Sequence, residues 1–334
     1  DNWDYTATQH IILAEIEINN QPRKVLMQAP KNGFFYVLDR TDGTLISADP
    51  YVYTNWATRV DLETGRPEET DYSRYKEVNA QIFPGPAGGH NWQPMAFNPV
   101  TNLVYIPARD LSMIYGQPLN WEYKKDVRTF NIALGGNKNT ITRMDSLAPD
   151  EKGMLIAWDP IKKKEVWKAP HKSTWNAGVL SLEDLVFQGH AEGFLVAYDA
   201  ADGTEEWRFN VGSGVVASPI SYMVDGIQYI TIISGWGGVL GRYVRFTDQL
   251  YPGTIYTFAL GKNEAAPVYP TIKKEFIDLE VTASMDKIEN GKLVFNQYCS
   301  RCHGTPGNGG GAYPDIAYSE KAVFGMFYQI VVEG

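Results

Sequence analysis

The sequence is poor in cysteine, in long apolar runs and in clustered positive charge. It contains two cysteines, and no second Cys or His pair lies near them, which excludes a structural zinc site with four protein ligands. No apolar run approaches the roughly 18 residues that a membrane-spanning helix needs. A net charge of −9 without a block of Lys or Arg argues against a nucleic-acid partner.

The chain also has no initiating methionine and no signal peptide. It begins at Asp1 in an aromatic segment and stops at Gly334 in an apparently unfinished helix. We interpret both ends as cuts in a longer protein, so the missing targeting signal carries no information about location.

Aromatic residues and glycine are abundant instead. The 20 Tyr, 14 Phe, 9 Trp and 31 Gly favour an all-β body built from ring-bearing strands and Gly-containing turns. The 334 residues, 44% of them apolar, suffice for two compact domains.

A repeat of about forty residues runs through the first part of the chain. Gly-Met-Leu-Ile-Ala-Trp-Asp at 153–159 recurs as Gly-Phe-Leu-Val-Ala-Tyr-Asp at 193–199, and the tryptophans that follow, Trp167 and Trp207, keep the same offset. A third copy is Gly-Phe-Phe-Tyr-Val-Leu-Asp at 33–39. Each unit predicts a strand, an Asp-x-x-x-Gly turn and a second strand. The tryptophan falls where neighbouring blades would stack.

Four strands in about forty residues is the period of a propeller blade. Further strand candidates lie at 103–106 and 229–233, and helical periodicity is nearly absent before residue 280. A β-sandwich is the alternative fold. The segments 50–90 and 110–148 break the rhythm and are too long for turns, which is typical of functional or disordered loops.

A second, helical domain follows a linker that contains Pro267 and Pro270. Beyond the linker, apolar residues recur every three or four positions, which predicts a helix that leads into the cysteines. That face consists of Ile288, Gly291, Val294, Phe295 and Tyr298. A second amphipathic stretch runs from Lys321 to Val332. The predicted divisions are 1–261 for the propeller part, 262–281 for the linker and 282–334 for the helical domain.

Both cysteines belong to the motif Cys299-Ser300-Arg301-Cys302-His303, and Cys-x-x-Cys-His is the attachment motif for c-type haem. Two thiols one helical turn apart can form thioethers to the haem vinyl groups, and His303 then lies under the iron as axial ligand. A thioredoxin-like dithiol would need a βαβ context, whereas this motif lies between a helix and a Gly-rich loop. A plain disulfide remains an alternative.

The second axial haem ligand is not evident. Class I c-type cytochromes usually supply a methionine downstream of the histidine, and Met326 is the only methionine there. Because it lies among apolar residues of a helical pattern, we interpret Met326 as core packing. The sixth ligand is expected beyond Gly334, so 282–334 is interpreted as a truncated class I cytochrome c domain.

A propeller followed by this motif resembles the PQQ-dependent quinohaemoprotein alcohol dehydrogenases. Five further segments match motifs of that family in the family's order and with closely similar spacing. They are Trp-Asp-Tyr-Thr-Ala-Thr-Gln at 3–9, Ala-Pro-Lys-Asn-Gly at 29–33, Gly-Gly-His-Asn-Trp at 88–92, Trp-Asn-Ala-Gly at 175–178 and Ser-Gly-Trp-Gly-Gly-Val at 234–239. The resemblance spans almost the whole chain but only about half of a full-length member.

The resemblance implies an all-β propeller, eight-bladed in the full-length family, and a set of cofactors. PQQ, calcium and haem c are expected. Asp4 matches the catalytic base, which borders the calcium site, and Lys31 matches the basic residue over the quinone carbonyls. Asn91, Trp92 and Val239 match residues that contact PQQ. The family's other calcium ligands, its adjacent-cysteine disulfide and its tryptophan floor have no counterpart in this sequence.

Three other aromatic or basic positions stay ambiguous. His90 is interpreted as a loop histidine with internal partners and not as a ligand. Trp175 and Trp236 are either site residues or rings that pack between blades.

The expected function is oxidation of primary alcohols to aldehydes with PQQ, with electrons passing singly to the haem. A small redox protein or a quinone is the expected downstream acceptor, and the periplasm the expected location, because haem attachment occurs outside the cytoplasm. The chain alone is expected to be inactive, since an opened propeller exposes strand edges and lacks half the cofactor floor.

Two alternative functions stay open. One is a non-enzymatic propeller scaffold with an electron-transfer cytochrome. The other is a related PQQ dehydrogenase acting on polyols, polymers or an alkaloid. The two long segments, with Tyr115, Trp121 and Tyr123, are expected to line the substrate funnel.

Overall fold

The computed structural model describes residues 2–117, 121–123, 141–235, 253–261, 282–299, 303 and 316–333. Within these ranges the chain forms 20 β-strands, and its helices all follow the last strand. Most strands pair antiparallel in sheets of up to four strands. The described part is therefore mostly β, as the aromatic and glycine content predicts.

The first sheet is a complete four-stranded meander. Its strands are β1 (Ile12–Ile18), β2 (Gln21–Gln28), β3 (Phe34–Asp39) and β4 (Leu45–Pro50). They pair in sequence order. The two residues between β1 and β2, Asn19 and Asn20, have φ values of 53° and 60°. Positive φ at both positions gives the hairpin a backbone twist that matches the twist of the strands.

Two small sheets fill part of the long segments that break the repeat. They consist of β5 (Ala57–Val60) with β6 (Pro67–Glu69), and of β7 (Asn79–Ile82) with β10 (Met113–Tyr115) and β11 (Thr142–Arg143). Residues 118–120 and 124–140 of the second long segment lie outside the described residues.

The second sheet is a four-stranded blade. In the sequence, the second long segment lies between its two middle strands. Its strands are β8 (Ala96–Asn98), β9 (Leu103–Asp110), β12 (Lys152–Asp159) and β13 (Lys164–His171). The pairing order is β8-β9-β12-β13. All eight residues of β9 are buried, as expected for a strand that other sheets cover on both faces.

The third and fourth sheets continue the repeat. The third contains β14 (Val179–Leu182), β15 (Leu185–His190), β16 (Phe194–Asp199) and β17 (Glu205–Asn210). The fourth contains β18 (Ile220–Val224), β19 (Ile227–Ser234) and β20 (Thr254–Ala259). The strands predicted at 33–39, 103–106, 153–159, 193–199 and 229–233 are all confirmed.

Consecutive sheets pack face to face. One cluster of buried side chains joins the first and second sheets, another joins the second and third, and a further one joins the third and fourth. The second and third sheets are thus each covered on both faces by different sheets. Stacked propeller blades have this arrangement, whereas a β-sandwich has only two layers. The structure is propeller-like, and the sandwich alternative is not supported.

The turn and the tryptophan of the repeat have the predicted roles. In the third sheet the Gly203 N–H donates to the Asp199 carbonyl at 3.0 Å, which closes the Asp-x-x-x-Gly turn. Trp167 Nε1 of the second sheet donates to the Ala200 carbonyl of the third at 3.0 Å. A Cβ at Gly203, where φ is +78°, would lie 2.6 Å from the Trp167 ring. The tryptophan therefore stacks between neighbouring sheets at a point where glycine leaves it room.

Helices follow the strands. The predicted helix before the cysteines is confirmed as α1 (Met285–Tyr298), and a short α2 (Lys321–Gly325) lies in the second amphipathic stretch. A 3-10 turn precedes α2 at Ile316–Tyr318, and a π-helical turn follows it at Gln329–Glu333. None of the helices in the described ranges is long and apolar enough to cross a membrane.

The interpretation of Met326 as a core residue is wrong for the described part of the chain. Met326 is 46% exposed, Phe324 is 39% exposed and Ile330 is 54% exposed. The neighbouring α2 has no buried residue against which Met326 could pack. The linker at 262–281 lies outside the described residues, so the three division boundaries stay predictions.

Candidate active site

Asp4 is held in an unusual backbone conformation between two anchored aromatic residues. Its φ is 63°, in the left-handed region, which costs a non-glycine residue about 1–3 kcal/mol. On one side, Trp3 is buried and its Nε1 donates to the Ser73 carbonyl at 2.9 Å. On the other, the Tyr5 hydroxyl donates to the Pro84 carbonyl at 2.6 Å. These anchors fix the backbone of Asp4 while its side chain stays 61% exposed.

Lys31 reaches this strained residue from the loop after β2. Its side chain is only 8% exposed, and Nζ lies 2.9 Å from the main-chain oxygen of Asp4 and 3.2 Å from Oδ2. Lys31 thus approaches from the protein interior, and Asp4 faces solvent. The structure brings together the two residues that the family resemblance assigned to the reaction.

A glycine-rich loop packs directly on the main chain of Lys31. The Gly89 N–H donates to the Lys31 carbonyl at 3.0 Å. Gly88 has a φ of +79°, and a Cβ there would lie 2.5 Å from Lys31 Cγ and 2.6 Å from Lys31 Cα. Glycine at 88 is therefore required by backbone conformation and by close approach together.

The loop ends in the predicted Asn-Trp pair. Asn91 Nδ2 donates to the Ala87 carbonyl at 2.8 Å, and its Oδ1 accepts from the Trp92 N–H at 2.9 Å. The side chain of Asn91 thereby holds the shape of its own loop. Trp92 is 46% exposed, and its ring packs edge-on against Trp175 at 6.5 Å. One aromatic ring is thus presented to solvent beside a fixed amide.

His90 supports this loop from within. Nδ1 lies 2.8 Å from the Ala29 carbonyl oxygen and Nε2 lies 2.6 Å from the Gln93 carbonyl oxygen. Burial lowers the pKa of His90 to about 4, against the opposite effect of the two carbonyl contacts, which favour the charged ring. The interpretation of His90 as a loop histidine with internal partners is confirmed.

Of the three aromatic residues expected to line a substrate funnel, Tyr115 has a different position. It is 4% exposed, and its hydroxyl donates to the Trp3 carbonyl at 3.0 Å. Tyr115 therefore supports the segment that carries Asp4 and does not line an open funnel. Trp121 and Tyr123 are 46% and 69% exposed.

The cysteine motif begins at Cys299, directly after α1. The Cys299 N–H donates to the Phe295 carbonyl at 2.8 Å, and the His303 N–H donates to the Cys299 carbonyl at 2.9 Å. The first and last residues of the motif are therefore joined by one helical hydrogen bond. Cys299 is half-buried, and Cys302 lies outside the described residues.

Known proteins match the entire chain. Quinohemoprotein alcohol dehydrogenase ADH IIB of Pseudomonas putida is 44% identical over 343 residues, which cover 100% of this chain and 49% of that protein. A 1-butanol dehydrogenase (cytochrome c) of Thauera butanivorans is 41% identical, with coverage of 100% and 49%. The crystal structure of quinohemoprotein alcohol dehydrogenase from Comamonas testosteroni superposes with a TM-score of 0.83 at 40% identity, covering 100% of this chain and 49% of that one. This chain belongs to the quinohaemoprotein alcohol dehydrogenase family.

The match to this family is partial in one respect. The chain spans about half the length of the curated relatives it matches. A family model described as outer membrane protein assembly factor BamB also matches, over residues 151–228. That range contains the two most similar copies of the forty-residue repeat, and it contains neither Asp4 nor Lys31.

The structure places four of the site residues predicted from the family resemblance in one region. Asp4, Lys31, Asn91 and Trp92 are linked by the contacts described above, although their roles stay predictions. Val239 lies outside the described residues, as does Trp236. In the described ranges no three His, Cys, Asp or Glu side chains are grouped closely enough to hold a metal ion.

The sequence did not point to Arg109, which lies beside this candidate site. Arg109 is 1% exposed at the end of β9, and its guanidinium lies 4.0 Å from the centre of the Trp175 ring. Trp175 is 7% exposed and its ring packs against that of Trp92, so its two interpretations both stay predictions. Arg109 stands next to Asp110 at the end of β9, and because charged residues at a strand end usually point into solvent, the sequence carries no signal that Arg109 is buried.

Proposed function

We propose that the complete protein containing this chain oxidises primary alcohols to aldehydes with PQQ and passes the electrons one at a time to a c-type haem. The observation that carries the proposal is the contact of buried Lys31 with exposed Asp4 beside the Asn91–Trp92 loop. The relatives named quinohemoprotein alcohol dehydrogenase support both cofactors.

The residues present suit an anionic, planar quinone. Lys31 offers a buried ammonium group next to an open surface, and a cation there would stabilise negative charge that develops on the cofactor. Trp92 exposes 46% of its surface, and aromatic rings favour contact with flat conjugated groups. Gly88 lets the loop backbone approach closely. Val239 is proposed as a further contact from the family match alone.

Asp4 is proposed as the general base. When bound, PQQ supplies the two-electron acceptor for the alcohol carbon. The carboxylate of Asp4 takes the proton from the alcohol hydroxyl, a step that needs an ionised group within hydrogen-bond reach of the substrate. One of its oxygens, Oδ2, is held by Lys31, and the side chain is open to solvent, so the carboxylate can meet a substrate. Trp3 and Tyr5 anchor the backbone on either side of Asp4.

Calcium is proposed as a second cofactor with Asp4 as one ligand. Carboxylate oxygens are ligands that calcium prefers, and the Asp4 carboxylate is exposed enough to bind it. Because the described residues contain no group of three His, Cys, Asp or Glu side chains that could hold a metal ion, further ligands would have to come from elsewhere in the protein.

Haem c is proposed on Cys299 and Cys302, with His303 as axial ligand. The helical hydrogen bond from His303 to Cys299 fits covalent attachment at one face of a helix. In this proposal residues 1–261 are part of an eight-bladed propeller, 262–281 are the linker and 282–334 belong to a class I cytochrome c domain. The location would be the periplasm, and a small redox protein or quinone would accept the electrons.

Neither alternative function is favoured by a specific observation. A scaffold protein could share the repeat, and the assembly-factor model matches only residues 151–228. The Asp4–Lys31 contact and the loop at 88–92 lie outside that range. Nothing in the described residues favours a polyol, a polymer or an alkaloid over a primary alcohol.

The test uses the full-length protein reconstituted with PQQ and calcium. With ethanol or 1-butanol it should reduce an artificial electron-accepting dye, and a pyridine haemochrome spectrum should report covalent haem c. Cys302→Ala should lose most of that haem. Inertness towards a broad alcohol panel, with PQQ demonstrably bound, would contradict the enzymatic proposal and favour the scaffold.

A further inference from the structure

Arg109 is the largest fully buried side chain in the described part of the chain. Its Nη2 donates to Gln93 Oε1 at 3.1 Å, and the guanidinium stacks on the Trp175 ring at 4.0 Å. Nε and Nη1 are fully covered and find no acceptor among the described residues. A buried charge normally requires an opposite charge or a complete set of hydrogen bonds, and Arg109 has neither there.

The two buried cations of this region differ in their charge balance. Lys31 is paired with the Asp4 carboxylate at 3.2 Å. Arg109 forms none of the ion pairs that occur within the described ranges. Burial lowers the pKa of Arg109 to about 9, so it still carries its charge at neutral pH. The region therefore holds one positive charge that the described protein does not neutralise.

Arg109 is connected to the candidate active site through one residue, Gly89. The Arg109 N–H donates to the Gly89 carbonyl at 2.8 Å, and the Gly89 N–H donates to the Lys31 carbonyl at 3.0 Å. Hydrogen-bonded backbones lie about 5 Å apart, so the backbones of Arg109 and Lys31 are at most about 10 Å apart. On its other side Arg109 contacts Trp175, whose ring meets the exposed Trp92.

We propose that Arg109 is an electrostatic positioning residue of the quinone site, whose unneutralised charge favours the reduced, more negative form of the cofactor. This inference rests on the proposed function. Since the charge is buried, solvent ions screen it far less than a surface charge. Trp175 holds the guanidinium in place through its ring face, which an arginine can contact without a counter-ion.

Gln93 provides the sharpest test because it already contacts the guanidinium. Gln93→Glu keeps the shape of the side chain and places a carboxylate where Oε1 now accepts from Arg109. Gln93 Nε2, which the change removes, has no partner among the described residues. The variant should therefore fold, and it neutralises Arg109 without altering it. Arg109→Gln removes the same charge directly.

The readout is the midpoint potential of the bound quinone, measured by spectroelectrochemical titration of the full-length PQQ-loaded protein. Both variants should weaken the preference for the reduced form about tenfold, which lowers the potential of a two-electron couple by about 30 mV. Gln228→Glu, an exposed change of the same charge on β19, should leave the potential unchanged.

Unchanged potentials in Gln93→Glu and Arg109→Gln would overturn the role of Arg109 and leave the proposed function intact. An equal lowering of the potential by Gln228→Glu would also overturn the role of Arg109, because a change in net charge alone would then explain the effect. A wild-type protein that shows no quinone wave would instead remove the proposed function itself.

Discussion

The ammonium group of Lys31 donates to both the main-chain oxygen and the Oδ2 of Asp4, at 2.9 Å and 3.2 Å. One lysine thereby fixes the backbone and the carboxylate of a residue whose φ of 63° is unfavourable without support. An ion pair that only joined side chains could re-form in many geometries. The double contact restricts the Asp4 carboxylate to a small region beside the glycine-rich loop.

Asp4→Asn should abolish most turnover in the full-length enzyme without loss of PQQ. Asparagine has nearly the same shape and can still accept from Lys31, but it cannot take a proton from an alcohol. General-base catalysis typically contributes about 10²–10⁴-fold, so kcat should fall by that factor. Dye-coupled turnover measures kcat, and the absorbance of released PQQ measures occupancy.

A matched control for this prediction is Asp71→Asn, which removes an 83% exposed carboxylate from the same half of the chain. It should leave turnover within about twofold of wild type, as expected of a surface change. If Asp4→Asn also retained near-normal turnover, Asp4 could not be the base.

The Asp4–Lys31 ion pair should contribute little to global stability despite its position. Because the Asp4 side chain is 61% exposed, solvent screens most of the attraction. A double-mutant cycle with Asp4→Asn and Lys31→Met should give a coupling free energy of at most about 1 kcal/mol in denaturant unfolding. Coupling of several kcal/mol would show that the pair mainly stabilises the fold and does not mainly position Asp4 in the site.

Gly88→Ala should damage both stability and the site. A Cβ at 88 would overlap the Lys31 Cα at 2.6 Å and the His90 carbonyl oxygen at 2.6 Å, and backbone atoms cannot rotate away. We expect the free energy of unfolding to fall by about 3 kcal/mol or more, from backbone strain and overpacking together. Denaturant titration of the two proteins measures the difference.

Gly65→Ala is the control, because Gly65 also has a positive φ, +67°, but a Cβ there meets nothing within 4 Å. The free energy of unfolding should fall only by the cost of a left-handed backbone conformation at alanine, about 1–2 kcal/mol. Equal losses in the two variants would mean that the contact with Lys31 has no energetic consequence.

The features that could be predicted from the sequence are those with a period or a compact motif. The forty-residue repeat located the strands, the Asp-x-x-x-Gly turns and the interblade role of Trp167, which the hydrogen bond to Ala200 confirms. The pairing of Asp4 with Lys31 was implied by family resemblance, since the residues are 27 positions apart and share no local pattern. Helical spacing located α1 directly.

The features that could not be predicted depend on which neighbour covers a side chain. An arginine at a strand end, such as Arg109, usually lies in solvent, yet this one is buried because Trp175 of the segment before the third sheet lies over it. Tyr115 was assigned to a funnel because it lies in a long loop, but it bonds to Trp3, which is 112 residues away. Met326 shows the converse error. Its apolar pattern predicted a buried side chain, but no layer covers it in the described part of the chain, and it is exposed.

Acid should destabilise the fold through two buried histidines. Burial lowers the pKa of His90 to about 4 and that of His171 to about 3, whereas an unfolded histidine titrates near 6.5. As pH falls below about 6.5, these histidines therefore bind protons in the unfolded chain but not yet in the folded chain. Their contribution to stability is complete above about pH 6.5 and is lost progressively towards pH 4 and 3, at roughly 3 kcal/mol for His90 alone.

His171→Gln isolates one of these contributions. His171 Nε2 lies 2.9 Å from Oε1 of Gln188 in the third sheet, and a glutamine amide can donate in its place. The His171 ring also lies 4.2 Å from the ring of His190, so protonation of His171 would add a charge beside a second imidazole. Unfolding free energies measured at pH 7 and pH 5 should differ less in the variant than in wild type. An identical pH dependence in both proteins would show that folding does not lower the pKa of His171.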